Sequence, residues 1–355
     1  MAYTPVPHDP GLPPIRINLL SDTQTRPTAA MREAMARAEV GDEQFGLDPT
    51  VNALCARSAT LLGKEAAVFL PSGTMCNVVA MLTHCRPGDE ILAHETAHVL
   101  TSEGGAHAAL GGFQILPLRG QRGQFSGPTL TAALRTPSRY APRQVVLSAE
   151  QTANIGGGTI WPKAELDDVA RIAKANGLAT HLDGARLMNA CVATGIAADD
   201  MAAGWDTVWL DFTKGLGAPL GAVLAGSRDF IDDAWRWKQR LGGAMRQAGL
   251  SAAGCLHALD HHIDRLKDDH DNARLLASGL AQIQGFEVQT PDTNLVFFDS
   301  SPAGLPPQRL IETLRRHGIL MSTLGGRIRA CTHLDVTAAM IEETLGLVRE
   351  AARGV

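Results

Sequence analysis

The stretch "TVWLDFTKGLGAPLGAVLAG" (residues 207–226) carries Lys214, one of only six lysines in the chain, between an apolar run and a glycine-rich turn. Residues 207–212 are short, apolar and bounded by a turn, which predicts a buried strand, and 221–226 predict another. A lysine at a strand end can simply reach water. It can equally be a nucleophilic amine, because ligands of open parallel sheets bind outside the C-terminal ends of the strands. The other strand ends have to decide between the two.

Outward from this stretch, strand-like runs recur at 65–70 ("EAAVFL"), 90–94 ("EILAH"), 113–118 ("FQILPL"), 143–150 ("RQVVLSAE") and 178–183 ("LATHLD"). Helix-like segments lie between several of them, such as 163–177, which ends in Asn-Gly. Alternating strands and helices predict an α/β domain with a mainly parallel sheet. After about residue 250 one long helix is expected over 251–285, then strands at 294–299 and 328–333 and helices at 307–317 and 337–352. The expected organisation is an extended, proline-rich N-terminal arm (1–20), a large domain (21–250) and a smaller C-terminal α/β domain (251–355).

The chain has 355 residues, 45% of them hydrophobic, a net charge of −5 and a pI near 6.2. That balance argues against nucleic-acid or anionic-membrane partners, which need a basic surface. No apolar run approaches a membrane span, and the N-terminus lacks the charged-then-apolar order of a secretory signal. The six cysteines (55, 76, 85, 191, 255, 331) contain no C-x-x-C pair and are expected to be reduced. A soluble cytoplasmic protein is expected.

The residues following the strands are Ser72-Gly73-Thr74, His94 to His98, Gln151-Thr152, Asp183 to Arg186, and Thr213-Lys214. "HETAH" (94–98) matches the H-E-x-x-H of zinc hydrolases, but it follows a strand where that motif needs a helix; no metal is expected. "GLGAPLG" (215–221) fails as a dinucleotide loop because its third glycine is one residue late, and as a P-loop because Lys214 precedes the glycines.

An amine, an acid, an arginine and a phosphate-sized turn at one sheet edge fit the needs of a pyridoxal phosphate enzyme. Such an enzyme requires a lysine for the Schiff base, for which Lys214 is the candidate. It requires an acid at the pyridine nitrogen, for which Asp183 stands 31 residues earlier. Backbone N–H groups at a helix start should hold the phosphate, as Ser72, Gly73 and Thr74 can. An arginine should take the substrate carboxylate, and Arg186 and Arg329 are the candidates.

From about residue 17 onward the chain resembles the low-specificity threonine aldolases, grouped with the β-eliminating lyases among fold-type-I pyridoxal phosphate enzymes. The resemblance rests on "LLSDTQTRPTAAMREAM", "VGDEQFGLDPTVNAL", "GKEAAVFLPSGTMCN", "HLDGARLMNA", "TKGLGAPLGAVLAG", "GGAMRQAG", "LKDDHDNA" and "RACTHLDV", in that order. It implies a retro-aldol lyase that cleaves a β-hydroxy-α-amino acid to glycine and an aldehyde. β-Elimination or other chemistry at Cα is the alternative. The implied roles are Lys214 carrying the cofactor, Asp183 at the ring nitrogen, Gly73 and Thr74 at the phosphate, and His98 stacked on the ring. Arg186 is implied near the ring oxygen and the substrate carboxylate, and Ser21 and Arg329 at that carboxylate. Arg246 is implied to reach a phosphate in a neighbouring subunit, hence a homodimer unit and a homotetramer.

Two positions depart from the family pattern. Where it usually reads E-N-T-H-N this chain has "EQTAN", so Ala153 replaces a histidine, and where it usually reads V-Y-G this chain has "QFG", so Phe45 replaces a tyrosine. Both remove polar groups from the side of the β-hydroxyl. The smaller Ala153 is expected to leave room for a bulkier substrate such as phenylserine.

Overall fold

A computed structural model of the chain describes residues 11–354. Half of the expected N-terminal arm, residues 1–10, lies outside the described residues. The central sheet has seven strands: β1 (Ala66–Leu70), β2 (Glu90–His94), β3 (Gln114–Leu118), β4 (Gln144–Glu150), β5 (Ala179–Gly184), β6 (Thr207–Asp211) and β7 (Ala222–Gly226). Their spatial order is β1-β7-β6-β5-β4-β2-β3, and every pair is parallel except the two that β7 makes. Because β7 opposes both neighbours, β1 runs with the parallel set, and its C-terminal end reaches the same sheet edge. The alternation in sequence thus gives the expected α/β layering.

Local signals set the element ends. The Ser72 hydroxyl accepts a hydrogen bond from the Met75 N–H (3.2 Å) and caps helix Gly73–His84. Asp48 caps helix Pro49–Leu61, whose first position is proline. Helix Lys163–Ala175 stops at Asn176, followed by Gly177 with a φ of +75°.

The long helix expected over 251–285 is two helices, Gly249–His261 and Leu266–Ala281. Between them the buried His262 ring turns in to bond the Leu216 carbonyl (2.7 Å), tying the break to the glycine turn after Lys214. The first of these helices packs into the core of the central sheet through Ala252, Cys255, Ala258 and Leu259. A second core starts in the following helix at Ala273 and also takes Ile17 and Leu19 from the N-terminal segment. Its sheet is antiparallel, with β8 (Glu287–Val288), β9 (Leu295–Asp299), β10 (Ser322–Leu324) and β11 (Arg327–Cys331) in the order β10-β11-β9-β8. Ile17–Asn18 pairs in parallel with Ile319–Leu320, so the N-terminal segment crosses from the second core to the edge of the first. No helix among the described residues is long and apolar enough to cross a membrane.

Candidate active site

Asp183 is the last residue but one of β5, and its carboxylate is buried, accepting from the Ala185 N–H (3.0 Å) and from Asn77 Nδ2 (2.8 Å). A Cβ on the next residue, Gly184, would collide with the Trp209 carbonyl, which explains the glycine. Lys214 follows β6; its ammonium pairs with Asp211 and lies 5.5 Å from the centre of the Trp209 ring. The loop holding it is fixed from two sides. The Asp211 carboxylate accepts from the backbone N–H and hydroxyl of Thr213 (both 2.8 Å), and the Thr25 hydroxyl donates to the Lys214 carbonyl (3.0 Å). Across the same edge, Gly73 opens its helix directly over Trp209, where any Cβ would strike the indole ring. The first N–H groups of that helix have no intrahelical acceptor, and its positive end faces the edge.

His98 starts the short helix His98–Thr101, and its Nδ1 bonds Glu103 Oε1 at 2.9 Å. Burial opposes a charge on this imidazole, but the Glu103 hydrogen bond and the charges of Asp183 and Glu150 prevail and raise its pKa. Glu150 ends β4 directly beside Asp183 in the sheet register. Burial, and then the Asp183 charge, push the Glu150 carboxyl up to about 7. Behind Asp183, Asn77 Oδ1 accepts from Trp209 Nε1 (2.8 Å) and pairs with His181 Nε2 (3.0 Å). Burial brings His181 down to about 3, so it is neutral at physiological pH.

The two expected arginines differ. Arg186, buried, clamps Asp22 through Nε and Nη2 (both 2.7 Å), and Asn154 Oδ1 lies 3.4 Å from its Nη1. Burial works against the Asp22 charge, but Arg186, with Lys214 and Arg329 beyond, holds that carboxyl well below the usual range. Arg186 therefore turns two of its three nitrogens to an internal carboxylate, which fixes the guanidinium at the sheet edge beside Asp183. Arg329, on β11 of the small sheet, is 3% exposed, and its Nε and Nη2 have no hydrogen-bond partner among the described residues. Ser21, expected beside it, is buried, and its hydroxyl accepts from the backbone and side chain of Thr23 (3.2 and 2.9 Å).

Three expected residues stand apart. Phe45 is 74% exposed on a short turn, and Arg246 pairs with Asp42 (2.8 Å) on the same surface. No hydrogen bond or ion pair among the described residues links either to Lys214 or Asp183. Ala153 is 1% exposed in an antiparallel bridge with Thr159, and its methyl lies beneath Gly123. The space expected there is filled by the backbone of the 120–125 loop, so the small side chain opens no room for a larger substrate. His94 sits on β2 and bonds Thr96 (2.8 Å), while His98 begins the following helix. The two histidines of "HETAH" thus do not share a helix face, and that arrangement is not the zinc-hydrolase motif.

Asp22, Asn77, Glu103, Glu150 and Asp211 belong to this cluster without having been singled out in the sequence. Asn77 alone left a signal, as a buried amide amid the apolar residues of its helix.

The β-eliminating lyase family model matches residues 18–302. The chain belongs to this family. It is 37% identical over 343 residues to a low-specificity L-threonine aldolase of Arabidopsis thaliana, covering 94% of this chain and 96% of the relative. It is 39% identical over 331 residues to a low-specificity L-threonine aldolase of Escherichia coli O157:H7, covering 92% and 96%. Among solved structures, a threonine aldolase from Leishmania major superposes with a TM-score of 0.82 at 21% identity, covering 95% of this chain and 99% of that one. Its fold is therefore the fold-type-I architecture of this family, with every strand-end residue described above inside the matched span except Arg329.

Proposed function

We propose that this protein is a pyridoxal phosphate-dependent lyase that cleaves β-hydroxy-α-amino acids of the threonine class to glycine and an aldehyde. The observation that carries the proposal is Arg329, a buried guanidinium whose Nε and Nη2 have no hydrogen-bond partner among the described residues and whose charge, like that of Lys214, acts on Asp22. Buried guanidinium nitrogens without acceptors are costly, and a substrate carboxylate satisfies them. The residues present also fit the cofactor. The free helix start at Ser72, Gly73 and Thr74 suits a phosphate. The buried carboxylate of Asp183 suits a protonated ring nitrogen, and Lys214 supplies the amine.

Pyridoxal phosphate supplies an electron sink for the pair released when a bond at Cα breaks. In this assignment Lys214 would carry the group, and the Asp183 carboxylate would favour positive charge at its ring nitrogen. Asp22 holds Arg186 in place beside them, and Arg329, with Ser21 at the start of its turn, orients the substrate through its carboxylate. His98 would face the bound cofactor and take the proton of the β-hydroxyl, a role worth on the order of 10²–10⁴-fold. A proton returned to Cα yields glycine.

The relatives named as threonine aldolases support the substrate class. Val40, Phe45, Leu47 and Leu250 are large, apolar and exposed, and Phe45 lies on the same surface as Arg246. We assign this surface to a second copy of the chain, with Arg246 reaching the phosphate of the neighbouring site. Assembly as a homotetramer in the cytoplasm belongs to the same proposal.

The test is product analysis with the purified, cofactor-loaded protein on threonine, allo-threonine and phenylserine. Equal amounts of glycine and aldehyde are expected, and both should disappear in Lys214→Ala. Pyruvate from serine-like substrates without aldehyde would overturn the assignment in favour of β-elimination.

A further inference from the structure

The bonds around Asn77 are over-determined, and they tie two parts of the site together. Trp209 Nε1 can only donate, so the Asn77 atom 2.8 Å from it must be the oxygen. The amide orientation follows, and both Nδ2 hydrogens point the other way. One goes to Asp183 Oδ2 (2.8 Å) and the other to Glu103 Oε1 (2.7 Å). The second acceptor position of Asn77 Oδ1 is taken by His181 Nε2 (3.0 Å), which must then carry its proton there. Thr207 Oγ1 faces His181 Nδ1 (2.9 Å) and can donate to it. A single side chain, locked from behind by an indole and a neutral imidazole, therefore donates to two buried carboxylates.

Those carboxylates have different charges to answer. Asp183 belongs to the cofactor end of the site. Glu103 belongs to His98, whose Nδ1 lies 2.9 Å from the same Oε1 that Asn77 holds. Glu103 is placed there by a sharp turn, with Gly104 and Gly105 both at positive φ (+61° and +71°), so the chain reverses immediately after it. Its side chain is only 2% exposed. Burying a carboxylate is expensive unless it is paired and hydrogen-bonded, and here both partners are supplied.

We propose that Glu103 and Asn77 are positioning residues of the reaction: Glu103 fixes the ring plane and proton-bearing nitrogen of His98, and Asn77 couples that pair to Asp183. The proposal rests on the assignment of His98 as the group that takes the hydroxyl proton. With Nδ1–H committed to Glu103, His98 offers Nε2 as its accepting atom, the tautomer a base needs. The carboxylate stabilises the imidazolium that forms when that nitrogen takes a proton. The ionisable groups facing His98 are Glu103 from its own turn, Asp183 from the end of β5 and Glu150 from the end of β4. All three favour the charged ring, and Glu103 is the one in direct hydrogen bond.

The test separates charge from geometry. Glu103→Gln keeps an oxygen where Oε1 stands, so both hydrogen bonds survive and only the charge is lost; Glu103→Leu loses both. The full-length protein, with and without pyridoxal phosphate, is labelled with ¹³C at histidine Cε1, and the His98 signal is assigned with His98→Asn. Its titration is followed by NMR, and the pH profile of kcat/KM for aldehyde release is measured alongside. In Glu103→Gln the His98 titration should move to lower pH by about one unit or more, as expected for losing an adjacent opposite charge. The acid limb of the profile should move in the same direction, kcat should fall by about tenfold or more, and KM and cofactor affinity should change little. Glu103→Leu should lower kcat further, and Asn77→Ser, which keeps a single donor, should shift the titration by a smaller amount. An unchanged His98 titration in Glu103→Gln would overturn the proposal. A shifted titration with no aldehyde released even by the unmodified protein would instead overturn the functional assignment and leave the pairing standing.

Discussion

The two edges that meet at the site treat a buried arginine in opposite ways. At the edge of the large sheet, Arg186 is clamped by Asp22, which is also held by Asn294 Nδ2 (3.0 Å). At the edge of the small sheet, Arg329 is just as buried and keeps two N–H groups without partners. The first arrangement is complete within the chain and serves to build the site. The second is incomplete, and incompleteness in a buried cation is the mark of a binding group. A protein selected only for stability would have satisfied both.

The comparison breaks most visibly if each arginine is replaced by methionine. Arg186→Met takes the direct ion-pair partner from the buried Asp22, and the protein should lose about 3–5 kcal/mol of stability. Arg329→Met removes a buried guanidinium whose Nε and Nη2 have no hydrogen-bond partner among the described residues, so thermal unfolding should change far less than in Arg186→Met. Its kcat/KM should nevertheless drop by about 2–4 kcal/mol of transition-state binding, roughly 30- to 1000-fold. Equal loss of stability in both variants, measured by calorimetry, would remove the distinction between them.

The pH dependence of stability sharpens the same contrast among the acids. The Glu150 carboxyl is raised in the folded state to about 7 by burial and then by Asp183. A raised folded value means that its contribution is fully present below the ordinary glutamate range and is lost as pH rises through about 7. Glu150→Gln should therefore flatten the stability profile between about pH 4.5 and 7, and stabilise the protein at pH 8 by on the order of 1 kcal/mol or more. Asp22 has the opposite sign. Its folded value is depressed, so its contribution is present above the ordinary aspartate range and is lost only in acid, as the carboxyl takes up a proton. Chemical denaturation across pH distinguishes the two.

A smaller effect is expected at Ala153. Restoring a histidine there meets the backbone of the 120–125 loop through Gly123, so Ala153→His should cost about 1–3 kcal/mol by overpacking. It should not raise threonine turnover. A stable Ala153→His enzyme with higher activity would show that the loop yields easily.

What the sequence made legible follows the same division. Lys214, Asp183 and the Ser72–Thr74 turn were readable because each directly follows an apolar strand, and strand ends of a parallel sheet converge on one edge. Arg329 was readable as a candidate but not as the unpartnered arginine, since that depends on what Asp22 does 307 positions away in the chain. Glu103 and Glu150 carry no local pattern of their own, and Asn77 shows only as an amide amid the apolar residues of its helix. Their roles come from contacts between a helix, a glycine turn and two strand ends that only the folded chain brings together. The break at His262 escaped for the same reason, because a helical pattern runs through it and the Leu216 carbonyl that captures its ring is distant in sequence. At Ala153 the expectation went wrong because side-chain volume was considered without the loop that covers it.

The most direct measurement is borohydride reduction of the protein incubated with pyridoxal phosphate, followed by peptide mapping. The account predicts one phosphopyridoxyl group per chain on the peptide containing Lys214. Attachment to another of the six lysines, or to none, would contradict it.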